Sequence, residues 1–140
     1  MTVSRLLLQL LVLLGVLLVH YGEAATYQTF ENSHIDHPKT GANNPNAYCN
    51  LMMQRRRLNR GRCKPSNTFI NAPSNSIIAV CRGAGTRYRR NLYDSRASFP
   101  VTHCRSTGRF PNCNYRGQTM NKRVRLACVH RKPVHFERLL

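Results

Sequence analysis

Acidic side chains are nearly missing from this chain. Its 140 residues hold 5 Asp and Glu against 22 Lys and Arg, a formal charge of +17. From His37 to Tyr93 there is no acid but eleven bases, and from Ser95 to Phe136 no acid but nine more. Internal ion pairs cannot satisfy most of them, so the set implies a surface for polyanions. Of the bases, 18 are Arg and 4 Lys, and the planar arginine fork suits phosphate better than an ammonium does. No apolar run follows Val19, which excludes a later membrane span. No Cys-x-x-Cys occurs, which argues against a structural zinc site. Repeats, low-complexity blocks and linkers are also missing, and the length excludes a two-domain enzyme or a large dinucleotide-binding sheet. With 41% hydrophobic residues, 8 Gly and 7 Pro, the chain is neither disordered nor collagen-like.

What is present begins with an address. Met1 to Val19 reads as a secretory signal: Arg5 is followed by the 14-residue run Leu6–Val19, 12 of them Leu or Val. That is shorter than the roughly 20 apolar residues of a membrane span. Small residues at Gly22 and Ala24 place the cut after Ala24, so residues 1–24 are the signal and 25–140 one domain. Secretion implies an oxidising compartment. Cys49, Cys63, Cys81, Cys104, Cys113 and Cys128 are then expected in three disulfides, with about fifteen pairings open.

Tyr27 to His37 has helical spacing of Tyr27, Phe30 and His34, and Pro38 ends it. Asn46 is placed as the cap of a second helix running to Arg57, with Tyr48, Leu51 and Met52 inward. Cys63 to Ile70 suits a strand, and Pro73-Ser74 opens a third short helix carrying Ile77, Ile78 and Cys81. Beyond Gly83 the chain reads as β. Lys122 to His130 alternates, with Val124, Leu126 and Cys128 on one face and Arg123, Arg125 and Ala127 on the other. Pro133 to Leu139 is the last strand. Helices first and strands later predict an α+β domain with an antiparallel sheet.

Four segments carry a resemblance. Cys63-Lys64-Pro65-Ser66-Asn67-Thr68-Phe69 fits Cys-Lys-x-x-Asn-Thr-Phe, a signature of the pancreatic ribonuclease family. Phe30 to Asp36 resembles that family's first helix, Tyr48 to Met53 its second, and Pro133-Val134-His135-Phe136-Glu137 its C-terminal strand. The resemblance spans roughly Thr26 to Leu139. It implies three short helices on a V-shaped antiparallel sheet. It also implies the pairings Cys49–Cys104, Cys63–Cys113 and Cys81–Cys128, the three-bridge arrangement of angiogenins.

The chemistry implied is RNA cleavage without cofactor or metal, because the nucleophile is the substrate's own 2′-hydroxyl. Two imidazoles can take and give the protons near neutral pH, and a fixed cation can stabilise the phosphorane. By resemblance His34 is the base, His135 the acid and Lys64 the cation. Asn67, Thr68, Phe136 and Glu137 are the substrate-binding set: Thr68 reads a pyrimidine, Phe136 packs the base, and Glu137 stands where an aspartate usually orients the second histidine. His103 occupies a place where an acid often tunes base choice. His37 and His130 are expected on the surface.

The departures predict weak to moderate turnover. Ser33 replaces a glutamine whose amide touches the phosphate. A fourth disulfide loop is replaced by Gly83-Ala84-Gly85-Thr86, and Val129 removes a polar group downstream of the cut. Arg55, Arg56 and Arg57 form a basic run similar to the nuclear-localisation segment of angiogenins, and would serve equally as a phosphate-facing helix end or a bacterial-surface contact. The expected partners are RNA, anionic bacterial surfaces or glycosaminoglycans, and a cytosolic ribonuclease inhibitor, with the protein a monomer. The competing reading is a cationic antimicrobial or growth-signalling protein acting through charge alone.

Overall fold

A computed structural model describes residues 4–12 and 25–140. Residues 5–12 are helical and exposed, and residues 13–24, with the cut expected after Ala24, lie outside the described residues. No described helix is long and apolar enough to cross a membrane.

Helix α1, Tyr27–His34, starts at a reciprocal pair of threonines. Thr26 Oγ1 accepts from the Thr29 N–H and Thr29 Oγ1 from the Thr26 N–H, each at 3.1 Å. The helix stops short of His37. Ile35 turns extended and bridges Ile70, and the Asp36 N–H donates to the Ile70 carbonyl at 3.1 Å. Helix α2, Pro45–Arg55, is capped by Asn44, not Asn46. Asn44 Oδ1 accepts from the Ala47 N–H at 2.8 Å, and Pro45 fills the first turn, where no N–H is needed. Asn46 instead accepts from the Gly117 N–H at 2.8 Å. Arg57 takes a left-handed φ of 59° and lies beyond the helix end at Arg55. The buried face of α2 is Tyr48, Cys49, Met52 and Met53, with Leu51 only half-buried. Helix α3, Ser74–Ile78, continues into a 3₁₀ turn at Ala79–Cys81.

Among the described residues, seven strands follow the helical half or interleave with it: β1 Ser66–Ile70, β2 Gly85–Arg89, β3 Leu92–Ser95, β4 Phe99–Ser106, β5 Tyr115–Lys122, β6 Val124–Val129 and β7 Lys132–Leu139. They form two antiparallel sheets, β1-β4-β5 and β2-β3-β6-β7. Strand β1 begins later than Cys63 because Pro65 has no N–H for a ladder; its carbonyl accepts from the Ser106 N–H at 2.9 Å. The alternating run Lys122–His130 is divided at Arg123 between β5 and β6. A register shift falls between Ala127 and Cys128, and both are buried, although the alternation put them on opposite faces.

Two apolar cores form among the described residues. Phe30, Ile35, Ile70, Ile77, Val101 and Leu126 pack together in the first. Tyr48, Met52, Met53, Phe69 and Tyr115 fill the second, under α2. Disulfides Cys49–Cys104, Cys63–Cys113 and Cys81–Cys128 join α2 to β4, the segments ahead of β1 and β5, and the turn after α3 to β6. Asp36 is a buried junction. Its carboxylate accepts from Tyr48 Oη at 2.7 Å and the Thr40 N–H at 2.9 Å, and meets Arg56 Nη2 at 3.4 Å. Burial and that carboxylate push the Tyr48 phenol well above its ordinary pKa.

Candidate active site

His34 ends α1 at the point where the chain crosses to β1. Its Nδ1 lies 2.9 Å from the Thr68 carbonyl oxygen. A carbonyl only accepts, so the neutral ring carries its proton on Nδ1 and leaves Nε2 as a free acceptor. Phe30 and Phe136 flank the ring, with centroids at 5.2 and 5.3 Å, the latter stacked at 28°. Burial lowers the His34 pKa to about 4, with repulsion from Lys64 and His135 adding to it and the Thr68 carbonyl opposing. The ring is therefore neutral at pH 7.

Lys64 precedes β1. Its ammonium donates to Asn67 Oδ1 at 2.8 Å, and Asn67 Nδ2 donates to the Ser33 carbonyl at 2.7 Å. Burial and the neighbouring Arg62 lower the Lys64 pKa. The sequence places Asn67 among the substrate contacts; the structure buries it and engages its amide on both sides, so it positions Lys64 against α1. Thr68 is also buried, its Oγ1 2.9 Å from His103 Nδ1 across the β1–β4 pair. Burial, then Arg105, lowers the His103 pKa. An open depression lined by Pro65, Ser66, His103 and Arg105 adjoins this pair.

Strand β7 packs on α1 and supplies the other half of the site. His135 and Glu137, two residues apart on a strand, share a side. His135 Nε2 meets Glu137 Oε2 at 3.4 Å, and both side chains are exposed. Phe136, between them, turns inward to His34 and the first core. The fold thus brings together His34, Lys64, His135, Asn67, Thr68, Phe136 and Glu137. Among the described residues no group of three or more His, Cys, Asp or Glu converges to hold a metal ion.

The basic run Arg55–Arg57 is not one continuous exposed cluster. Arg55 and Arg57 are exposed. Arg56 turns inward, donating to the carbonyls of Asn32 at 2.7 Å and Glu31 at 3.3 Å, and Asn32 Nδ2 returns a bond to the Arg56 carbonyl at 3.0 Å. This clamp gives the Asn32 carbonyl, two residues before His34, a donor at the end of α1, and adds a second donor to the Glu31 carbonyl, which already accepts from the Ile35 N–H. Sequence reasoning missed it, since nothing local distinguishes Arg56 from its neighbours; the scarcity of acids was the available hint, because buried Asp36 needs a cation.

The family model described as "Pancreatic ribonuclease" matches residues 25–137. The chain belongs to the pancreatic ribonuclease family. It is similar to "Ribonuclease pancreatic" of Iguana iguana, with 50% identity over 116 residues, covering 81% of this chain and 98% of the relative. Among solved structures it is similar to green turtle egg white ribonuclease, with a TM-score of 0.79 and 43% identity over 81% of this chain and 98% of the other. Zebrafish RNase5 matches with a TM-score of 0.68 and 35% identity, over 79% and 91% of the two chains. As a pancreatic-type ribonuclease the protein is an endoribonuclease, and RNA is its substrate.

Proposed function

We propose that this ribonuclease cuts RNA on the 3′ side of pyrimidines, with His34 as base, His135 as acid and Lys64 as the cation at the phosphorus. The observation that carries the reading is the Nδ1 contact of His34 with the Thr68 carbonyl, which leaves Nε2 free and neutral at pH 7. Nε2 takes the 2′ proton as the 2′ oxygen attacks phosphorus. The P–O5′ bond breaks, and His135 gives its proton to the leaving oxygen. With Glu137 at Nε2, that proton comes from Nδ1. The product is a 2′,3′-cyclic phosphate. Thr68 reads the base edge, with His103 setting which way its hydroxyl points, and Phe136 packs the base. His34→Ala and His135→Ala should each lower kcat/KM by about 10²–10⁴-fold, while exposed His37→Ala and His130→Ala leave it unchanged. Full activity in either active-site variant would refute the assignment. Ser33→Gln should raise the rate on short substrates by restoring a phosphate contact.

The charge favours a second, extracellular role. Residues 1–24 act as a secretion signal, and the released monomer binds anionic bacterial surfaces or glycosaminoglycans without needing turnover. Of the four acids from residue 25 on, Asp36, Asp94 and Glu137 already face a base, which leaves most of the cations free for such partners. His34→Ala should kill bacteria as the parent does; loss of killing with that variant would make cleavage the weapon. Uptake to the nucleus is tested at Arg55 and Arg57, and capture by a cytosolic inhibitor by inhibition of RNA cleavage.

A further inference from the structure

The cations are not spread evenly, and one end of the second sheet concentrates them. Three segments meet there. The Cys128 N–H donates to the Asn91 carbonyl at 2.8 Å, Arg82 Nε to the Arg131 carbonyl at 3.0 Å, and the Cys81–Cys128 disulfide ties the same segments covalently. Two hairpin turns, β2–β3 and β6–β7, therefore sit side by side. Arg87, Arg89, Arg90, Arg131 and Lys132 on these hairpins and Arg82 beside them are all exposed, and among the described residues no carboxylate pairs with any of the six.

Two further observations single this end out. Of the four non-glycine residues with left-handed backbone among the described residues, Arg90 (φ 50°), His130 (φ 51°) and Arg131 (φ 63°) occupy these two turns. Glycine or asparagine would adopt that backbone at least cost, so the sequence keeps basic side chains where the turn disfavours them. The end also carries Tyr88 and Val129, two of the three large apolar side chains exposed within described residues 25–140. The exposed set Arg55, Arg57, Arg60 and Arg62, at the end of α2 and in the loop after it, has a similar charge and no such apolar side chain.

Cations on projecting turns, with apolar groups between them, suit a flat anionic interface better than a strand held in a groove. We propose that the paired β2–β3 and β6–β7 hairpin turns are the docking face for an anionic phospholipid bilayer. The proposal rests on the second reading above and names its site and partner.

The test is sedimentation with vesicles of phosphatidylglycerol and phosphatidylcholine, using the oxidised protein. A turn variant, Arg90→Asn, Arg131→Asn and Lys132→Gln, is compared with a loop variant of equal charge loss, Arg55→Gln, Arg57→Asn and Arg60→Gln. Asn is used at the left-handed positions to spare the fold, and cleavage of a dinucleotide confirms it. The turn variant should lose binding by about tenfold or more and the loop variant by less than about threefold. Val129→Ser should weaken binding further in physiological salt, where charge is screened. Equal losses in the two variants would overturn the proposal, as would a turn variant that loses affinity for long RNA or heparin but keeps vesicle binding. A parent protein that ignores anionic vesicles altogether would instead overturn the surface-binding role itself.

Discussion

At the scale of single residues, the account turns on how His34 and Arg56 are held. His34 has a pKa of about 4 in the fold, against 6.5 for a free imidazole, so the unfolded chain binds that proton more tightly. Its contribution to stability is full above pH 6.5 and is lost as pH falls toward 4. Denaturant melts at pH 7 and pH 4.5 should show the parent losing more stability than His34→Asn; equal losses would contradict the burial argument. The acid limb of kcat/KM should lie nearer pH 4 than 6.5 for the same reason. Arg56 leads to a different expectation from its neighbours. Removing it leaves the buried Asp36 carboxylate without its cation and frees the end of α1. Arg56→Ala should cost about 3 kcal/mol and several-fold in kcat, because the helix end that carries His34 loosens. Arg55→Ala and Arg57→Ala should change stability by less than about 0.5 kcal/mol. Thermal melts and kinetics of the three single variants check this, and equal effects would remove the clamp.

At the scale of elements, close approaches and turns decide what a substitution does. Gly117 on β5 faces the start of α2, where an added Cβ would collide with the Pro45 carbonyl and come within 2.9 Å of Cys49 Sγ. Gly117→Ala should therefore destabilise by about 1–3 kcal/mol, measured by urea melts; a neutral result would mean α2 can lift from the sheet without loss. Arg131→Gly should do the reverse and stabilise by about 1 kcal/mol through relief of left-handed strain, while lowering the charge of the docking end. Element existence was legible from periodicity and punctuation; element ends were decided elsewhere. Nothing local says that Ile35 will leave its helix to bridge Ile70, or that Asn46 will serve β5 and leave the cap to Asn44. Those choices come from partners at least 30 residues away.

At the scale of the whole molecule, the candidate site was legible because the residues proposed for its chemistry sit in three short segments with recognisable residue patterns. Their convergence was not, since it depends on β7 returning to pack against α1. The hydrogen bonds from Lys64 to Asn67 and from Asn67 to Ser33, and the contact between Thr68 and His103, cross from one element to another and leave no mark in local spacing. The disulfides bound the same long-range geometry, each closing a loop of 47 to 55 residues. Replacing Cys81 and Cys128 together by Ala should cost about 2–4 kcal/mol and loosen the docking end more than the active site, read by hydrogen exchange at Asn91 and Arg131 against Thr68. The central claim is that the attacking group is the substrate's own 2′-hydroxyl, handled by His34 and His135. The most direct measurement is cleavage of a deoxyoligonucleotide containing a single ribopyrimidine, with the product ends identified by mass. The account predicts one cut, immediately 3′ of the ribose, yielding a 2′,3′-cyclic phosphate and a free 5′-hydroxyl, and no cut in the all-deoxy control. Cleavage of that control, or a 5′-phosphate product, would contradict it.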